Sequence, residues 1–234
     1  MYDFQVINEL YLKVEGRGVL FAKKGSMVAD IGDFNYSKRL LGTNSGSLMN
    51  NLKNHIIRKF TGENLEIMEV TGGGTIYFAD DSNHIAVIDL EESGSFNSIY
   101  VESENILSFT ETCEYGVATI PVGSLSQKGL FTSKLTYNGK GSKVAILTNG
   151  NPLILKCEGE PITVDPDCLV AWTGKQPKVD VNMDWKAMFG QTSGESYNFE
   201  FTEVGQYIII QPQERMSEIS IKDKNRPTYN AFNR

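Results

Sequence analysis

One pattern occurs three times along this chain, and it narrows the possible folds more than any other feature. It is clearest at Ile162-Thr163-Val164-Asp165-Pro166-Asp167-Cys168-Leu169-Val170-Ala171-Trp172-Thr173. It returns as Tyr100-Val101-Glu102-Ser103-Glu104-Asn105-Ile106-Leu107-Ser108-Phe109-Thr110, and again as Phe21-Ala22-Lys23-Lys24-Gly25-Ser26-Met27-Val28-Ala29-Asp30. Each copy passes from an apolar position through a short polar corner to two apolar residues and a small one. Trp172 and Phe109 then follow in two copies, and Asp30 in the first. Short polar residues between β-branched and aromatic ones read as a strand, a tight corner and a second strand. The pattern fixes an architecture and supplies no reacting group.

A second repeat is built on glycine. Gly16 and Gly18 precede Val19-Leu20-Phe21, Gly72-Gly73-Gly74 precede Thr75-Ile76-Tyr77-Phe78, and Gly139-Lys140-Gly141 precede Lys143-Val144-Ala145-Ile146. A degenerate copy has Gly205 before Tyr207-Ile208-Ile209-Ile210, with Glu203 at the first glycine position. A phosphate cradle needs a helix directly after such glycines. Here strand-forming residues follow, so the glycines read as turns or bulges that need positive φ. Upstream, Gly62-Glu63-Asn64-Leu65-Glu66-Ile67 resembles Gly194-Glu195-Ser196-Tyr197-Asn198-Phe199, and Gly129 opens a looser version. Gly62 precedes Gly72 by ten residues and Gly129 precedes Gly139 by ten, which argues for duplication.

Together these features predict an all-β chain of three units. Each has corner strands, an excursion, a Gly-started strand, a glycine corner and a hairpin to the next corner. The hairpin turns fall at Asp80-Asp81-Ser82-Asn83 and Asn149-Gly150-Asn151. One domain spans residues 1–212, with units at about 9–98, 99–160 and 161–212, and a polar tail follows at 213–234. A unit of this size is marginal alone, so the three should share one core. The first excursion carries an amphipathic helix, Ser47 to Phe60, with Leu48, Leu52, Ile56 and Phe60 at four-residue spacing. A shorter helix is expected from Met183 to Phe189, capped by Asn182 or Asp184. The first strand is expected at Glu9 to Val14, with Leu10, Leu12 and Val14 on one face.

The chemistry-bearing residues are few. The net charge of −7 disfavours nucleic acid and anionic membrane surfaces, which need Lys and Arg. No apolar run is long enough to span a bilayer, and the start of the chain lacks signal- or transit-peptide features. Cys113, Cys157 and Cys168 form no Cys-x-x-Cys and read as reduced thiols, which places the expectation in the cytoplasm. The only histidines are His55, in the expected helix, and His84, after a turn. Nothing like His-x-His supports a metal centre, and no Gly-x-Ser-x-Gly marks a nucleophile. The acidic corners Glu102-Ser103-Glu104 and Asp165-Pro166-Asp167 read as strand-corner caps and lack the spacing of an EF-hand. No catalytic, cofactor-binding or metal-binding residue is therefore assigned, and no cofactor is expected. Trp172 and Phe109 are expected in similar environments, with Trp172 largely buried, the rival reading being an exposed aromatic binding platform, and Asp30 is expected near solvent, because an unpaired buried carboxylate is costly.

The corner repeat through Trp172-Thr173-Gly174, together with Gly194-Glu195-Ser196-Tyr197 and the closing Ile210-Gln211-Pro212, resembles the signature of a known family. The chain looks like a bacterial member of the mitochondrial-biogenesis ("altered inheritance of mitochondria") family of TRAP-like proteins, over about Leu10 to Pro212. That resemblance implies a threefold duplication of a short double-stranded β-helix unit in a pseudo-threefold arrangement. It implies no catalytic residues, because none are defined for the family. The function expected is a non-enzymatic scaffold or binding module with a protein or small-molecule partner, and a homo-oligomer is compatible with it. The alternatives are RNA binding, by analogy with the tryptophan-RNA-attenuation relatives, and an enzyme with a carboxylate-based site.

Overall fold

The structure, a computed structural model, describes residues 1–39, 66–120, 130–180 and 197–214. Among them the chain is all-β, apart from one 3-10 turn at Ser103–Asn105. The first strands are β1 (Tyr2–Ile7), β2 (Tyr11–Lys23), β3 (Met27–Arg39), β4 (Ile67–Phe78) and β5 (His84–Asp89). Next come β6 (Ser98–Val101), β7 (Ile106–Thr110), β8 (Cys113–Ile120), β9 (Leu130–Tyr137) and β10 (Lys143–Thr148). The last are β11 (Leu153–Lys156), β12 (Ile162–Val164), β13 (Leu169–Thr173), β14 (Lys178–Asp180), β15 (Asn198–Phe201) and β16 (Tyr207–Ile210). Both expected helices, Ser47 to Phe60 and Met183 to Phe189, lie outside the described residues, as does nearly all of the 213–234 tail.

All pairing is antiparallel. A seven-stranded sheet runs β3-β4-β2-β7-β10-β5, with β1 added on β2. A six-stranded sheet runs β11-β16-β13-β6-β9-β8, and β12-β15-β14 form a third. Leu12, Val14, Leu20 and Ala22 of β2 are fully buried, and so are Val70, Ile76 and Phe78 of β4. β1 is a strand the sequence reading had not assigned; Tyr2 and Phe4 alternate inward against β2.

The three corner stretches share a register. Each opens its second strand with a β-bulge against the strand that follows the glycines. The bulge lies between Met27 and Ala29 opposite Phe78 and Tyr77, and between Leu169 and Ala171 opposite Ile210 and Ile209. In β7, Ile106 and Ser108 face Ile146 and Ala145, so Leu107 is the extra residue. A bulge turns the strand sharply and lets two adjacent apolar residues both be covered. This accounts for the paired apolar residues of the pattern, such as Leu169-Val170, both of which are fully buried.

Two expectations need correction. Gly16, Gly18 and Gly72-Gly73-Gly74 do not separate strands; they lie inside continuous β2 and β4. Gly74, at φ +141°, sits against Gly32 of β3, where a side chain would strike the Ile31 carbonyl. The glycines therefore let three strands pack backbone to backbone, and only Gly139–Gly141 and Gly205 fall in turns. The turns after β4 and β10 also do not close hairpins. β4 already has β2 and β3 on its two edges, so the chain crosses and β5 pairs with β10, as β11 pairs with β16.

Candidate functional site

The corners bring together two aromatic junctions. Where β2 meets β7, Phe21 faces Phe109 in register and their rings lie 5.1 Å apart. Where β6 meets β13, Tyr100 faces Trp172 and stacks on it, also at 5.1 Å. Phe201 packs on the same indole at 5.9 Å, and Tyr115 lies 6.1 Å from Phe109. Trp172 is fully buried and Phe109 nearly so. The Trp172 Nε1–H has no hydrogen-bond partner, so the indole acts here as an apolar plug.

A threonine follows each of these aromatics. Thr110 Oγ1 accepts the Lys143 amide at 3.0 Å, and Thr173 Oγ1 accepts the Tyr207 amide at 2.9 Å. Thr110 and Thr173 are both buried. Each hydroxyl satisfies the amide at the start of the facing strand, which ends the short corner strand and lets the chain turn. Sequence reading missed these two threonines, although they recur at equal distances after the corners.

The first copy differs at both positions. Asp30 is exposed, as expected, and accepts a hydrogen bond from Tyr36 Oη at 2.6 Å. Burial and that bond to Asp30 hold the Tyr36 phenol above its ordinary range. Ile31 stands where Thr110 and Thr173 stand, and it pairs with Thr75 in an uninterrupted ladder. β3 therefore continues to Arg39 as the edge of its sheet. Met27, Val28, Ile31 and Tyr36 on it are 39%, 54%, 69% and 38% exposed.

The remaining candidates are held by structural contacts. Asp165 Oδ1 accepts the Asp167 amide at 2.8 Å, and Ser103 shares a hydrogen bond with Ser133 at 2.7 Å. His84 Nε2 lies 3.3 Å from Glu9 Oε2, while its Nδ1 is buried without a partner. His55 lies outside the described residues. Of the three cysteines, Cys113 and Cys157 are buried and Cys168 is half-buried. Burial raises the Cys113 thiol above its usual range, despite hydrogen bonds that oppose it. Among the described residues no three His, Cys, Asp or Glu side chains come together as a metal set.

Depressions mark the surface formed by the described residues. One of about 380 Å³ is open and lined by Ser95, Asn97, Glu203 and Gln206 among others. Glu203 accepts the Lys175 amide there, and Gln206 bonds Glu203 and Thr173. Another, about 150 Å³, lies between Tyr2, Glu111 and Lys140. No helix among the described residues is long and apolar enough to cross a membrane.

Comparison with solved structures places the crystal structure of protein SPYM3_0169 from Streptococcus pyogenes on this chain. The TM-score is 0.64 with 17% identity, over 92% of this chain and 94% of that one, which speaks to the fold alone. The sequence model of the family described as "Mitochondrial biogenesis AIM24" matches residues 4–213. Comparison with curated proteins returned no match.

Proposed function

The chain belongs to the mitochondrial biogenesis AIM24 family, and we propose that it is a non-enzymatic binding scaffold that presents the β3 ribbon to a protein partner. The scaffold is one domain over 1–212, built from three tandem copies of a double-stranded β-helix unit, with 213–234 as a tail. Strand pairing supports phasing the units at 11–78, 84–148 and 153–210. In each, the first strand pairs with the last: β2 with β4, β5 with β10, and β11 with β16. The shared bulges and the Thr110 and Thr173 contacts support the same phasing.

The observation that carries the binding role is the exposure of Met27, Val28, Ile31 and Tyr36 on one edge strand. Edge strands are ordinarily short, charged or covered, because bare backbone groups and apolar side chains invite pairing. β7 and β13, with the same corner pattern, are buried throughout. The acidic balance of the chain argues against a nucleic-acid partner for this surface.

A photo-crosslinking residue at position 28, compared with one at the exposed Glu114 in β8, tests this reading in cells. Discrete protein adducts at position 28 and not at 114 are expected. Equal or absent adducts at both would contradict the role of β3.

A further inference from the structure

We propose that the free edge of β3 receives β12 from a second copy of this chain, head to tail, in the register of the two junctions inside the chain. This names the partner of the surface proposed above and rests on that reading.

The strand junctions of the chain leave two ends unmatched. Inside the chain, the strand before one corner pairs with the strand after the next corner. β2 pairs with β7 through Leu20↔Thr110, Phe21↔Phe109 and Ala22↔Ser108. β6 pairs with β13 through Ile99↔Thr173, Tyr100↔Trp172 and Val101↔Ala171. The series has one strand of each kind left over. β12 precedes the last corner and has β15 on one edge and no described strand on the other. β3 follows the first corner and has β4 on one edge and no described strand on the other. Among the described residues these two ends do not pair within one chain, since each terminates a different sheet.

The junction register can be carried onto the free ends, because each corner spans the same number of residues. It sets Ile162 opposite Ile31, Thr163 opposite Asp30, and Val164 opposite Ala29. One face of the new junction is then an apolar row. It covers Ile31, the most exposed aliphatic side chain on β3. On the other face the Thr163 hydroxyl can donate to the Asp30 carboxylate, which retains acceptor capacity beside Tyr36. The ring stack of the internal junctions is thus replaced by a polar pair. Such a contact is weaker than Tyr100 on Trp172, as suits copies that associate reversibly. The contact is heterologous, so it builds a ring or a chain of copies and not a two-fold dimer.

The full chain in a Cys168→Ser background tests this, since Cys113 and Cys157 are buried. One preparation carries Asp30→Cys and another Thr163→Cys. Mixed and oxidised at high micromolar concentration, they should form a covalent dimer with one chain of each, absent from either preparation alone. Adding Ile31→Lys to the Asp30→Cys chain should cut the yield about tenfold, through loss of a buried aliphatic contact. A dimer from the Asp30→Cys preparation alone would mean β3 meets β3 and would overturn the proposal. A cross-linked monomer from a chain carrying both cysteines at high dilution would mean closure within one chain and would also overturn it. So would the absence of any mixed dimer. The in-cell adduct at position 28 separates the two readings: self-adducts support both, another protein keeps the scaffold and removes the second copy, and no adduct removes both.

Discussion

The corner at Lys24–Ser26 and the corner at Asp165–Cys168 have one pattern and opposite fates. After the third corner, Trp172 is buried on Tyr100 and Thr173 ends the strand by accepting the Tyr207 amide. After the first, Asp30 is exposed and Ile31 continues the ladder, so β3 runs on for thirteen residues as a sheet edge. Two side-chain differences decide whether the strand becomes a closed junction or an open ribbon. An aromatic and a hydroxyl close it. A carboxylate and an aliphatic leave it open, because Asp30 at the aromatic position cannot fill an apolar junction and Ile31 at the threonine position has no acceptor for the next strand's amide. The second corner sides with the third through Phe109 and Thr110.

The largest effect should come from removing the aromatic plugs. Trp172→Ala and Phe109→Ala should each cost about 3–5 kcal/mol of stability in denaturant unfolding, since both are buried in well-packed sites. A loss well under that range for Trp172 would break the comparison, because the junction would not depend on its stack.

Thr110→Val and Thr173→Val should each cost about 1 kcal/mol, by leaving a part-buried amide without its acceptor. Similar losses at both sites, measured by the same unfolding experiment, would sharpen the equivalence of the two junctions. A neutral result at one would show that its strand ends for another reason.

Cys113 provides a pH test of the buried side. Burial holds its folded value above the ordinary thiol value of about 8.5, so the folded state keeps the proton more tightly than the unfolded chain does. Its contribution is therefore full below about pH 8.5 and is lost as pH rises through the folded value. Cys113→Ala should flatten that alkaline decline. Maleimide labelling at neutral pH should be faster at half-buried Cys168 than at Cys113.

The smallest effects belong to the open ribbon. Asp30→Ala and Ile31→Thr should change the stability of the dilute chain by no more than about 0.5 kcal/mol, because both side chains are exposed. A large loss at Ile31 would mean that something in the same chain already covers it.

Local chemistry carried much of the fold in the sequence itself. The corners were legible because turn residues and apolar alternation act within a few positions, and Asp30 was placed at the surface by the cost of burying a carboxylate. The three-glycine run was misread as a break because its role is to admit a neighbouring backbone, Gly32 of β3, that no local window contains. The turn after β4 looked like a hairpin because its residues are turn formers, and Asn83 does donate to the Asp80 carbonyl at 2.9 Å. Which strand β5 joins depends instead on β4 having both edges filled, a non-local fact. The candidate surface was least legible. Ile31 looks like one more apolar strand residue until the pairing shows that it stands where Thr110 and Thr173 stand.

Amide hydrogen exchange, followed peptide by peptide at two protein concentrations, tests the open edge most directly. In the dilute chain, the segment 27–31 should exchange much faster than 106–110 and 169–173, since among the described residues only its β4 side is bonded. At high concentration the 27–31 and 162–164 segments should slow together. Protection of 27–31 equal to that of 169–173 in the dilute chain would contradict the account, because the first corner would then be closed within a single molecule.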